Sequence, residues 1–119
     1  MVTDYILIAE DDAAFRMLLN DLLTDEGFQT RTASDGVEAL EHCERQLPQL
    51  LITDLHMPRL GGAELVAELQ ARQLGTFPVV VLSGRYDLLA NAPALAAHTE
   101  PKPCDFDRLM AKVRMLLSN

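Results

Sequence analysis

Short apolar runs in this chain stop abruptly and give way to stretches with a helical repeat, and the exchange recurs along its length. The runs are residues 5–9, 50–53 and 79–82, the last being the most hydrophobic, and residues 28–33 read as a further strand with weak alternation. Strands alternating with helical stretches predict an α/β fold, a parallel sheet with helices packed on it. Strands covered on both faces read as continuous apolar runs, as residues 5–9 do before Glu10-Asp11-Asp12.

The helical stretches carry their own boundaries. Asp12 is an N-cap by type, after which Phe15, Leu18, Leu19, Leu22 and Leu23 recur at i, i+3, i+4 spacing until Gly27 stops the helix. Ser34 is read as the cap of a second helix carrying Val37, Leu40, Cys43 and Leu47 before Pro48. After the turn-rich Met57-Pro58-Arg59-Leu60-Gly61-Gly62, Leu65, Val66 and Leu69 share one helical face. The pattern then weakens. Residues 87–97, with Pro93 among many alanines, predict a short irregular fourth helix, and residues 99–103 a poor fifth strand. Asp105 caps a last helix with Leu109, Met110, Val113, Leu116 and Leu117 along one side.

A chain of 119 residues, 49% hydrophobic and 24% charged, suits a single domain spanning residues 1–119, with no effector domain expected in it. No stretch approaches the ~18 uninterrupted apolar residues of a membrane span, and none reads as a signal peptide. A cytoplasmic location is the expectation. The net charge of −8 argues against general binding to a nucleic-acid backbone, which needs clustered Lys and Arg. Cys43 and Cys104 are too few and too far apart for a zinc site or a disulfide framework, so both are read as reduced packing residues.

Open parallel sheets bind ligands outside the carboxyl ends of their strands, so polar residues at those ends are the ones to inspect. Here they are Glu10, Asp11 and Asp12 after the first run, Asp54 after the third, Ser83 after the fourth and Lys102 near the fifth. Carboxylates gathered at one edge raise one another's pKa unless a cation joins them. Hard oxygen ligands with an incomplete protein shell favour magnesium, which completes its octahedron with water and phosphate oxygens. Phosphoryl transfer needs an acceptor nucleophile, a metal to neutralise charge, and donors for the equatorial oxygens. Asp54, the acids, Lys102 and Ser83 supply that set. Singly, each has a plainer reading as a cap, a turn hydroxyl or a solvated cation.

From residue 5 to residue 117 the chain resembles the receiver domains of bacterial two-component response regulators. The resemblance rests on Ile6-Leu7-Ile8-Ala9-Glu10-Asp11-Asp12, on Leu51-Ile52-Thr53-Asp54-Leu55-His56-Met57-Pro58-Arg59-Leu60-Gly61-Gly62, on Pro78-Val79-Val80-Val81-Leu82-Ser83-Gly84 and on Lys102-Pro103-Cys104-Asp105. It implies a flavodoxin-like (βα)5 doubly wound sheet of five parallel strands in order 2-1-3-4-5, between two helical layers. By the same resemblance Asp54 is the phosphorylated aspartate, Glu10 and Asp11 are the acidic pair, and His56 lends its backbone carbonyl to Mg2+. Asp11 and Asp54 are implied as direct metal ligands and Glu10 as one acting through water. Ser83 takes the hydroxyl role and Lys102 the phosphate-pairing role. The implied partners are a sensor histidine kinase or phosphotransfer protein and a downstream effector, and the domain is a signalling switch rather than an enzyme with turnover.

Three departures from the family stand out. Thr99 occupies the place of an inward-turning aromatic, three residues before the lysine. Cys104 replaces another aromatic, and Pro101 and Pro103 flank Lys102, with Pro103 implied to follow a cis bond. Three rival readings meet specific objections. A pseudo-receiver that binds without phosphorylation would not need Asp11, Asp54, Ser83 and Lys102 together. A flavin-binding domain needs a phosphate loop where this chain has acids. An aspartate-nucleophile hydrolase commonly carries an acid where His56 stands. His42 and His98 have no partner at metal-ligand spacing and are read as surface or satisfied histidines; Arg85 could lie over the site mouth.

Overall fold

A computed structural model describes residues 4–84, 98–102 and 104–118. The elements are β1 (Ile6–Ala9), α1 (Ala13–Asp25), β2 (Thr30–Ala33), α2 (Gly36–Arg45), β3 (Leu50–Asp54), α3 (Gly62–Ala71), β4 (Val79–Ser83), β5 (Thr99–Pro101) and α4 (Phe106–Leu117). The expected short helix over residues 87–97, the Pro103 bond and Arg85 lie outside the described residues.

Alternation along each strand sorts the core into two layers. Ile6 and Ile8 of β1 join Leu50 and Ile52 of β3 and Val80 and Leu82 of β4 on the face covered by Leu19 and Leu23 of α1 and Leu109, Met110 and Val113 of α4. Leu7 and Ala9 point the other way, with Leu51, toward Ala39, Leu40 and Cys43 of α2 and Leu65 and Leu69 of α3. Both faces of the sheet are thus covered, as parallel strands require. The strands pair in parallel in the order β2-β1-β3-β4-β5. The chain is a five-stranded flavodoxin-like α/β fold. Strand order reverses between β1 and β3, where Ile8 pairs with Ile52 and Ala9 with Thr53, so the crevice opens at their carboxyl ends.

Several local expectations change on folding. The cap of α2 is Asp35, whose side chain accepts from the Glu38 amide; Ser34 instead donates its hydroxyl to the Glu38 carboxylate. A residue with a better-placed acceptor one position later takes the cap. Leu47 lies beyond the end of α2 and is 41% exposed, and Leu18 on α1 is 43% exposed, so neither belongs to the core. The second strand begins at Thr30, two residues later than its weak alternation suggests. Asp12 and Asp105 cap α1 and α4 as expected, and Gly27, at φ +93, closes α1 in the left-handed conformation glycine tolerates. The fifth strand is three residues long at the sheet edge.

Candidate functional site

Glu10 leaves the end of β1 and turns inward, where it is 1% exposed. Its carbonyl accepts from the Arg16 guanidinium at 2.8 Å, and one carboxylate oxygen accepts from the Asp12 amide at 3.1 Å. The same short turn therefore caps α1 with Asp12 and leaves Asp11 exposed between them. Asp54 ends β3, with its Oδ1 held by the Leu55 amide at 2.9 Å. Carboxylate oxygens of Glu10, Asp11 and Asp54 lie within 4.8 Å of one another.

Lys102 reaches into this group from the end of β5. Its ammonium donates to Glu10 Oε1 at 2.6 Å and to Asp54 Oδ2 at 3.2 Å, and sits 4.6 Å from the centre of the Phe15 ring. The lysine is thus the cation that relieves carboxylate repulsion in this structure. Burial pushes the Glu10 pKa up, against the opposing pull of Lys102 and the Asp12 amide. For Lys102, burial lowers the pKa, but the Glu10 hydrogen bond and the charges of Asp54 and Glu10 outweigh it and the net direction is upward. The ammonium stays charged.

Ser83 ends β4, the strand beside β3, and is buried; its carbonyl accepts from the Lys102 amide at 2.9 Å. The side chain of His56, two residues beyond Asp54, is exposed. The fold therefore brings Glu10, Asp11, Asp54 and Lys102 into one cluster, with Ser83 on the adjoining strand end. His42 and His98 take no part in the acidic cluster. The donor set is three hard carboxylates, which fits a magnesium ion that retains part of its water shell.

Sequence reading missed three supports of this site. Arg16 holds the Glu10 carbonyl, and Phe15, read only as core, lies under the Lys102 ammonium. Asp35 accepts from Arg59 at 2.9 Å, tying the loop after Asp54 to the start of α2, where the Gly36 amide also donates to the Leu60 carbonyl at 3.0 Å. Arg59 has φ 67, a left-handed turn within Met57-Pro58-Arg59-Leu60-Gly61-Gly62 that was the available signal. Both thiols are protonated packing groups: burial raises Cys43 and Cys104 to about 11.

Residues 6–114 match the family model described as response regulator receiver domain. The chain belongs to that family. It is 36% identical over 115 residues to response regulator MprA of Mycobacterium leprae, covering 94% of this chain and 50% of that protein. The chain spans about half the length of the curated relatives it matches. Among solved structures, the receiver domain of NtrX from Brucella abortus superposes with a TM-score of 0.85 at 32% identity, covering 94% of this chain and 97% of that one. The response regulator TrrA from Thermotoga maritima, in complex with Mg(2+)-BeF, gives a TM-score of 0.86 at 29% identity over 96% of this chain and 99% of that one. This receiver domain is a signalling domain of two-component systems, and among its described residues no helix is long and apolar enough to cross a membrane.

Proposed function

We propose that this receiver domain accepts a phosphoryl group on Asp54 from a histidine kinase, a phosphotransfer protein or a small phosphodonor, acting in the cytoplasm. The observation that carries the reading is the cluster itself: three carboxylates within 4.8 Å of one another and an ammonium among them at the carboxyl edge of the sheet. Glu10, Asp11, Asp54 and the His56 carbonyl would hold Mg2+. When bound, the ion supplies positive charge against the equatorial oxygens of the transferring group. The magnesium complex of the Thermotoga relative supports that assignment.

An Asp54 carboxylate oxygen attacks the donor phosphorus as the bond to the leaving group breaks. The electron pair of that bond stays with the leaving imidazole nitrogen, which takes up a proton, or with an acetate oxygen, and Asp54 becomes an acyl phosphate. Lys102, charged and already 3.2 Å from Asp54 Oδ2, pairs with the new phosphoryl oxygens. Ser83, at the end of the adjoining strand, donates its hydroxyl. One or two charge-assisted hydrogen bonds made only in the phosphorylated form suffice to shift an inactive/active equilibrium poised within a few kcal/mol. The shifted domain then controls a partner or an attached effector, a switch without catalytic turnover of its own on other molecules.

Intact-protein mass after incubation with acetyl phosphate tests the reading. One phosphoryl group should be gained with Mg2+, and none without Mg2+ or in Asp54→Asn. A folded protein that gains no phosphoryl group and binds no Mg2+ would overturn it.

A further inference from the structure

Among the described residues, Glu100 is a buried charge that the acceptor chemistry does not use. It lies in β5 between Thr99 and Pro101 and is 1% exposed. Two cations of α4, one helical turn apart, face it: Lys112 at 2.7 Å from Oε1 and Arg108 at 3.3 Å from Oε2. Lys112 also donates to the Thr99 carbonyl at 3.0 Å, so α4 holds this strand by side chain and by backbone together. Neither Glu100 oxygen has an aligned hydrogen bond, so ion pairing alone compensates its burial. A packed apolar side chain is often as stable as such a pair. The carboxylate therefore calls for a reason other than stability.

The reason lies two residues on. Lys102 directly follows the last residue of β5, and its amide continues the ladder to the Ser83 carbonyl, so a shift of Glu100 along the strand carries Lys102 with it. β5 is a three-residue edge strand paired on one side to β4, and Pro101 has no amide hydrogen to give the ladder. Its flanking backbone bonds are Val81 to the His98 carbonyl and Lys102 to the Ser83 carbonyl. A strand so lightly held can slip, and a slip of one residue moves a side chain by about 3.3 Å and turns it to the other face. Lys102 tolerates no such movement if it is to stay 2.6 Å from Glu10 and 3.2 Å from Asp54.

We propose that Glu100 is a positioning residue for Lys102: its grip by Lys112 and Arg108 fixes the register of β5 and so sets the ammonium between Glu10 and Asp54. The role rests on the reading of Lys102 as the phosphoryl-pairing cation. It also keeps Glu100 neutralised from α4, which leaves the Lys102 charge to the acceptor site.

The chain has two lysines, Lys102 and Lys112, so lysine labelled with 13C and 15N gives two side-chain signals in solution NMR, assigned with Lys102→Ala. The experiment compares wild type with Glu100→Gln and Glu100→Met; the second fills the site with an apolar chain and keeps a folded protein if the first unfolds. In a folded Glu100 variant the Lys102 signal should move toward that of a solvated lysine. The rate of phosphoryl uptake from acetyl phosphate with Mg2+ should fall about tenfold or more, and the same substitution in Lys102→Ala should cost no further rate. A Lys102 signal unmoved in a folded Glu100 variant overturns the proposal. Should wild type gain no phosphoryl group, the acceptor reading fails, while the Lys102 signal still decides whether Glu100 positions it.

Discussion

Gly62→Ala couples the fold to the acceptor in one methyl group. A Cβ built at Gly62 would lie 3.2 Å from the Asp54 carbonyl carbon and 3.2 Å from the Leu55 Cα, and closer still to the Asp54 carbonyl oxygen. Non-bonded carbons sit comfortably at about 3.5–4.0 Å, so α3 and the end of β3 must part by about 1 Å. Both sides are backbone, with no flexible side chain to yield. Overpacking of this kind costs about 1–3 kcal/mol, partly offset by the ~0.5–1 kcal/mol that alanine gains over glycine in a helix. In a domain of this size each kcal/mol lowers the melting temperature by about 4 °C, so a fall of up to about 10 °C is expected. Because the displaced carbonyl belongs to Asp54, phosphoryl uptake should fall about tenfold or more in protein that is still folded. Calorimetry and intact-mass kinetics read the two effects. Gly75→Ala is the control: its Cβ would meet Gln70 at 3.6 Å, an ordinary contact, and both readouts should stay near wild type. A Gly62→Ala protein with unchanged melting temperature and unchanged uptake would refute the steric argument.

Two further perturbations test the frame around the site. Asp35→Asn keeps a capping side chain but removes the charge facing Arg59. Its hydrogen bonds from Arg59 and the Glu38 amide hold the Asp35 pKa below 3.8, so its stabilisation is present above that pH and is lost as pH falls through the depressed value. The stability gap between wild type and Asp35→Asn in urea unfolding should therefore be open at neutral pH and close in acid; a gap constant with pH contradicts it. Asp12→Ala removes the acceptor for the Ala14 and Phe15 amides at 3.0 and 3.2 Å, and should cost about 1 kcal/mol in urea unfolding with no change in slope. No loss would mean that water replaces the cap.

How much of the site the sequence makes legible depends on the range over which each cue acts. Glu10, Asp11 and Asp54 are readable because each follows an apolar run, and in a parallel sheet the ends of such runs converge on one edge. Lys102 is harder, since residues 99–103 with Pro101 and Pro103 barely read as a strand, and the resemblance to receiver domains supplied what periodicity could not. Nothing local marks Glu100 as buried. Its environment is made by Lys112 and Arg108, 12 and 8 residues along the chain on another element.

By itself the sequence determined the layers of this domain, its helix caps at Asp12 and Asp105, and which strand ends carry acids, because capping and side-chain alternation act within a few residues. Tertiary structure decided that Leu18 and Leu47 stay exposed, that Asp35 rather than Ser34 caps α2, and that the Lys102 ammonium lies between Glu10 and Asp54. Those outcomes depend on where separate elements meet. Burial and charge pairing across 92 and 48 residues of chain belong to the packed sheet and helices, and no local pattern encodes them.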